Sequence, residues 1–123
     1  LSKIVKLVNF QKNPFHLIGS SNLFVLTSIY EGLPNVILEA LTLKKFVISS
    51  NCPTGPREIL LNGKCGFLFK PGDYKKLSDL IIFYSRNKKK LKPKINLAYK
   101  ELIRFDYQKN LEKYLSEIKP LLN

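Results

Sequence analysis

The chain is short of almost everything a metal or redox site would need. Its 123 residues contain two cysteines and one histidine. Cys52 and Cys65 lie 13 positions apart with no C-x-x-C pair, and His16 is distant from both, so no metal framework is expected and the thiols read as reduced. The longest apolar run, Leu80 to Tyr84, is far too short to cross a membrane, and neither a span nor a signal peptide is expected within these residues. Repeats and low-complexity linkers are absent apart from one lysine run. Acidic residues are also scarce: nine Asp and Glu stand against 21 Lys and Arg, a net charge of +12.

Much of that charge lies beyond Ser85, in Lys88, Lys89, Lys90, Lys92 and Lys94. Such a run is ordinarily a solvated face. It is also compatible with an anionic membrane surface. No aromatic residues interleave with it, so a stacking platform for nucleic acid is not expected. The size fits one domain at most, large enough to bury a core.

Apolar stretches at Lys3–Val8, Leu23–Leu26, Phe46–Ser49 and Phe67–Phe69 read as strands. Asn9 then stands at a turn where a left-handed backbone is expected, which Asn tolerates best after Gly. Helices are expected from Pro14 through Ile18, from Pro34 to about Leu43, and from Pro56 through Leu61. Asp73 reads as the cap of a helix with Leu77, Leu80, Ile81 and Tyr84 on one face, closed by Asn87. Pro93 is expected to open another with Ile95, Ala98, Leu102 and Phe105 inward. Asp106 caps a last one with Leu111, Tyr114, Leu115 and Ile118 inward, ended by Pro120. Strands alternating with helices imply a parallel sheet with right-handed crossovers, and ligands on such sheets sit beyond the strand C-terminal ends.

The segment after the Leu23–Leu26 strand therefore lies on the ligand side, and it is the most informative in the chain. Residues 30–41 read Tyr-Glu-Gly-Leu-Pro-Asn-Val-Ile-Leu-Glu-Ala-Leu. Pro34 suits the first helical position, where its missing N–H costs nothing. Leu33 has no side-chain oxygen with which to cap that helix. The first-turn amides, Asn35 among them, are left as free donors at a positive helix end, which is an anion site suited to a diphosphate. Glu39 falls at the rim of the apolar stripe of Val36, Ile37, Ala40, Leu41 and Leu43, where a carboxylate accepts paired hydroxyls such as those of a ribose. Glu31 reaches the other side of the anion. A lone Glu on a helix is ordinarily a solvated charge, but an acid, an anion hole and a second acid together suit a nucleotide-sugar.

Glu31 to Glu39 resembles the E-x7-E motif of retaining glycosyltransferases of the GT-B fold, and the context is similar to family 4 of that class. Four further segments agree in order: Val8–Pro14, Asn22–Ser28, Cys52–Leu60, and Asn62–Phe69 with Pro71-Gly72-Asp73 just after it. The resemblance covers residues 4–86, about two thirds of the chain. It implies an α/β, Rossmann-like, three-layer parallel sheet with helices on both faces, here a partial C-terminal domain ending in two or three helices. The partial nucleotide-sugar domain is expected over residues 1–86 and a helical extension of it over 87–123. Because Leu1 is not an initiator Met and such enzymes need a second, N-terminal domain, the chain is expected to be a C-terminal piece and inactive alone.

By the same resemblance Glu31 is the catalytic-site acid at the donor sugar, and Gly32, Leu33, Pro34, Asn35 and Glu39 bind the donor. Gly55, Arg57 and Glu58 support the site from a neighbouring loop, with Arg57 either offsetting phosphate charge or pairing at the surface. His16 is expected at the surface. Ser28 either caps the turn or is solvated. Lys44 and Phe46 depart from the family pattern, where Gly and Pro are usual, so strain is expected after the helix. The expected chemistry is retaining transfer of a hexose or N-acetylhexosamine from a nucleotide-sugar, UDP before GDP, to a lipid-linked or surface glycan. No metal or other cofactor is expected. The expected location is cytoplasmic, with the inner membrane face as a peripheral partner and no nucleic acid. The alternatives are a non-catalytic remnant and a basic module binding anionic membrane or nucleic acid.

Overall fold

A computed structural model describes residues 4–122. Three short strands form one parallel sheet in the order β1 (Leu23–Leu26), β2 (Phe46–Ser50), β3 (Phe67–Phe69). Leu23 pairs with Phe46 and Leu26 with Ser49, while Ile48 pairs with Phe67 and Ser50 with Phe69. Helices α1 (Phe15–Ser20), α2 (Asn35–Thr42), α3 (Pro56–Ile59), α4 (Tyr74–Glu101) and α5 (Tyr107–Ile118) surround and extend it. The expected three-layer α/β architecture is what forms.

The central strand explains the layering. All five residues of β2 are buried, and successive side chains point to opposite faces. Val47 faces Ile18, Ile37, Ala40, Leu41, Ile59 and Leu60, the layer built by α1, α2 and α3. Phe46 and Ile48 face Phe69, Tyr84 and Leu91, the layer built by α4. Phe46 stacks on Tyr84 at 5.0 Å and meets Phe67 edge-on at 4.9 Å. Tyr84 completes its burial by donating its hydroxyl to the Asn22 carbonyl at 2.7 Å.

Both helix caps read from sequence are present, Asp73 accepting from the Lys76 amide and Asp106 from the Lys109 amide, each at 2.9 Å. Other expectations need correction. Residues 4–8 form no strand: Ile4 and Leu7 are 87% and 92% exposed, and this segment pairs with no strand among the described residues. Lys3, the expected start of that strand, lies outside the described residues. Asn9 is not left-handed; the non-glycine residues with positive φ are Lys44, Leu61 and Asn62. Pro14 and Pro34 sit at the N-cap rather than inside their helices.

A further correction concerns α4. It does not end at Asn87 and restart at Pro93. It kinks at Asn87 (φ −124°, ψ 20°) and continues to Glu101 with Pro93 internal. Asn87 donates its side-chain amide to the Phe83 carbonyl at 2.9 Å, so the kink is satisfied locally. Past the bend the helix stays on the Phe46 side, where Leu91 and Ile95 join Tyr84, and reaches the Val47 layer only at Ala98. The last concerns α5, whose stripe is not inward. No residue of α5 is buried, and Tyr114 and Leu115 are 66% and 58% exposed.

Candidate functional site

The loops leaving β1 and β2 at their C-terminal ends meet. Ser50, buried at the end of β2, donates its hydroxyl to the Ser28 carbonyl at 2.6 Å. Ser28 donates its own hydroxyl to Glu31 Oε1, also at 2.6 Å. Thr54 donates to the Glu31 carbonyl oxygen from the second loop. Gly55 comes next with φ +85°, and the place a Cβ would take is filled by the Gly32 carbonyl and the Pro34 ring. Only glycine permits that approach. Two loops far apart in sequence thus form one platform, and α2 starts from it.

The start of α2 is bare. Pro34 at its N-cap provides no side-chain hydrogen bond, and Asn35 and Val36 beyond it are exposed. Gly32 and Leu33 are exposed as well, while Pro34 is buried under the Gly55 loop. The apolar side chains of Ile29, Tyr30, Leu33 and Val36 border this surface, all exposed. Exposed apolar groups beside free helix-end donors are the makings of a ligand wall.

Glu39 supplies the sharpest feature. Its neighbours Ile37, Ala40 and Leu41 are buried in the core, and Glu39 Oε2 is itself buried with no hydrogen-bond partner among the described residues. A buried acceptor without a donor costs free energy that native proteins rarely leave unrecovered. A ligand hydroxyl is a suitable donor. Glu31, with one oxygen held by Ser28, is half-buried. Glu31, Gly32, Leu33, Pro34, Asn35 and Glu39 therefore all belong to the start and first turns of α2.

Gly55 belongs to the same platform, and with Thr54 it also lines an open cleft of about 460 Å³ that Arg57 and Glu58 face together with Asn62 and Arg104. Arg57 donates to the Asn51 side chain at 3.2 Å and makes no ion pair among the described residues. Arg104 closes the α3 end by donating to the Glu58 and Ile59 carbonyls and pairing with Glu101 at 3.0 Å. His16 is exposed on α1. Ser50 and Thr54 were not singled out from sequence. The signal for Ser50 is two serines ending an otherwise apolar strand, Phe46-Val47-Ile48-Ser49-Ser50. Thr54 carries no comparable signal.

Elsewhere the chemistry is structural. Cys52 and Cys65 are free and buried, and burial pushes the Cys65 thiol up, with Glu101 adding and Arg104, Lys94 and Lys64 opposing. Burial also raises the Tyr84 phenol. Among the described residues no group of three or more His, Cys, Asp or Glu is placed to hold a metal ion, and no helix is long and apolar enough to cross a membrane. The lysine run lies at the opposite end of the sheet from Glu31: Tyr84, beneath Lys88, bonds the residue just before β1. Lys94 is taken up in part by the Gly63 and Lys64 carbonyls, at 2.7 and 3.2 Å.

A family model described as glycosyl transferases group 1 matches residues 1–101. Three relatives are similar over parts of the chain. An uncharacterized glycosyltransferase of Methanocaldococcus jannaschii is 49% identical over 58% of this chain and 21% of its own. A capsular polysaccharide biosynthesis glycosyltransferase of Staphylococcus aureus is 34% identical over 63% of this chain and 20% of its own. A lipopolysaccharide 1,6-galactosyltransferase of Salmonella typhimurium is 44% identical over 39% of this chain and 13% of its own. The matches thus span about a fifth or less of the length of these relatives.

Proposed function

The chain belongs to the group 1 glycosyl transferases, and from that premise we propose that it supplies the donor-binding half of a retaining enzyme of family 4 that uses a nucleotide-sugar. The observation that carries the reading is the buried Glu39 Oε2, without a partner among the described residues, beside a helix start that no side chain caps. In this reading Glu39 accepts the ribose hydroxyls. The amides at the start of α2, with Gly32, Leu33 and Asn35 around them, take the diphosphate, and Glu31 takes a hydroxyl of the donor sugar. Gly55 holds the platform closed, and Arg57 and Glu58 brace the neighbouring loop.

The chemistry is set by where charge develops. Retaining transfer forms an oxocarbenium-like centre and releases a diphosphate. Helix-end donors aimed at that diphosphate are pre-oriented, so they stabilise the leaving group without reorganisation. This arrangement needs no metal. The preferred donor is a UDP-linked hexose or N-acetylhexosamine. The names of the Staphylococcus aureus and Salmonella typhimurium relatives favour a surface or lipid-linked glycan as acceptor. The chain spans about a fifth or less of these relatives' length, so the acceptor site is assigned to the rest of such an enzyme and the 123 residues alone bind donor without turnover.

UDP titrated into the labelled chain, followed by amide NMR, tests the reading. Shifts at residues 32–39 that Glu39→Gln moves to about tenfold higher UDP concentration support it. Shifts confined to Lys88–Lys94, or none, contradict it.

A further inference from the structure

Glu31 is held at both ends. Its carboxylate accepts the Ser28 hydroxyl at 2.6 Å, and its backbone carbonyl accepts the Thr54 hydroxyl. Ser28 is itself fixed, because its carbonyl accepts from Ser50, whose side chain is buried at the end of the central strand. A hydroxyl has one proton to give. Ser28 gives it to Oε1, which leaves the second oxygen of Glu31 free and aimed by the first.

We infer that Ser28, anchored by Ser50, is a positioning residue that presents one oxygen of Glu31 to the donor sugar. The inference rests on the donor-binding reading and deepens it. Glu side chains have three rotatable bonds and lose more freedom than most when fixed. Here that freedom is lost on folding rather than on binding, so a sugar hydroxyl meets a carboxylate already in place. Ser50 ties the turn to the central strand, on which β1, β3, α2 and α4 pack, so the direction of the carboxylate is set by the sheet rather than by a loop.

Calorimetric titration of UDP, UDP-glucose, UDP-galactose and UDP-N-acetylglucosamine into the chain and its variants tests this. The wild-type chain binds at least one of the sugar nucleotides more tightly than UDP. In Ser28→Ala the ratio of that affinity to the UDP affinity falls by about two- to tenfold, the cost of ordering one flexible side chain on binding. Ser28→Thr, which keeps the hydroxyl, restores it, and Ser50→Ala falls between. If Ser28→Ala does not fold, Ser28→Cys, which weakens the bond at similar volume, carries the comparison. A wild-type ratio in folded Ser28→Ala or Ser28→Cys overturns the positioning role, and so does a Ser28→Thr chain that fails to restore it. UDP binding with no preference for any of the three sugar nucleotides also overturns it, while leaving Glu39 and the helix start as a nucleotide site. No binding of UDP at all removes the donor-binding reading and this inference together.

Discussion

Gly55 and Gly32, 23 residues apart, touch so closely that the Gly32 carbonyl occupies the place of a Cβ on Gly55. Glycine at 55 is needed twice over, for that contact and for φ +85°. Gly55→Ala is expected to cost about 2 kcal/mol or more, by combining a left-handed backbone penalty with displaced backbone. It also separates the two loops that form the platform, so UDP affinity falls with stability. Gly63→Ala, also at positive φ but with open space around it, is the comparison: it carries the backbone penalty without the clash. Urea denaturation of the two variants checks this, and equal losses contradict the contact.

Much of the fold is legible in the sequence because it is set by local pattern. Apolar runs of strand length, alternating with amphipathic stretches, suffice to place β1, β2 and β3 and to make the sheet parallel. Asp73 and Asp106 identify themselves as caps by the helix-period apolar stripe that begins just after each. The strand read at 3–8 is not formed over residues 4–8, because an apolar run says nothing of which strand it would pair with. The stripe on α5 shows the same gap: periodicity says which face is apolar, not what covers it. Glu31 and Glu39 can be picked out because both lie in one segment. The clamp of Ser50 and Thr54 on that segment spans 22 and 23 residues, so beyond the two serines that end β2 no local pattern points to it.

Alkali is expected to weaken the fold in two steps. The Cys65 thiol is raised above its ordinary 9.0 and the Tyr84 phenol above 10.0, both mainly by burial. A raised group keeps its proton longer when folded, so its contribution is complete below the unfolded value and is lost as pH rises toward the folded one. Stability should hold to about pH 9 and then fall by at most about 1.4 kcal/mol per pH unit for the thiol. Tyr84 adds its own loss above about pH 10. Urea midpoints from pH 8 to 11 check this. Cys65→Ala should flatten the first step and Tyr84→Phe the second, and an unchanged profile in both variants contradicts the assignment.

Helix α5 is expected to be dispensable for the stability of the sheet, since no residue of it is buried. Removing residues 107–123 should change unfolding free energy by less than about 0.5 kcal/mol, as for other surface changes. Thermal denaturation of the shortened chain measures it. A loss of several kcal/mol means α5 is packed in solution.

The end of α2 carries a removable strain. The Lys44 amide donates to the Leu41 carbonyl and the Lys45 amide to that of Ala40, both at 2.9 Å, which is the bonding of a Schellman motif, with Lys44 at φ 53° where glycine is favoured. Lys44→Gly should relieve about 1 kcal/mol of left-handed strain. It forfeits about 0.5 kcal/mol from the Lys44 ammonium over the Tyr99 ring. A small net rise in melting temperature is expected, and a fall contradicts it.

The account turns on Glu39 Oε2 meeting a ribose hydroxyl. Calorimetry on wild type and Glu39→Gln, each with UDP and with 2′,3′-dideoxy-UDP, tests that contact directly. The wild-type chain should lose about tenfold or more in affinity when the hydroxyls are removed, and Glu39→Gln should lose almost nothing further. Equal losses in the two chains would mean that the hydroxyls and Glu39 do not meet.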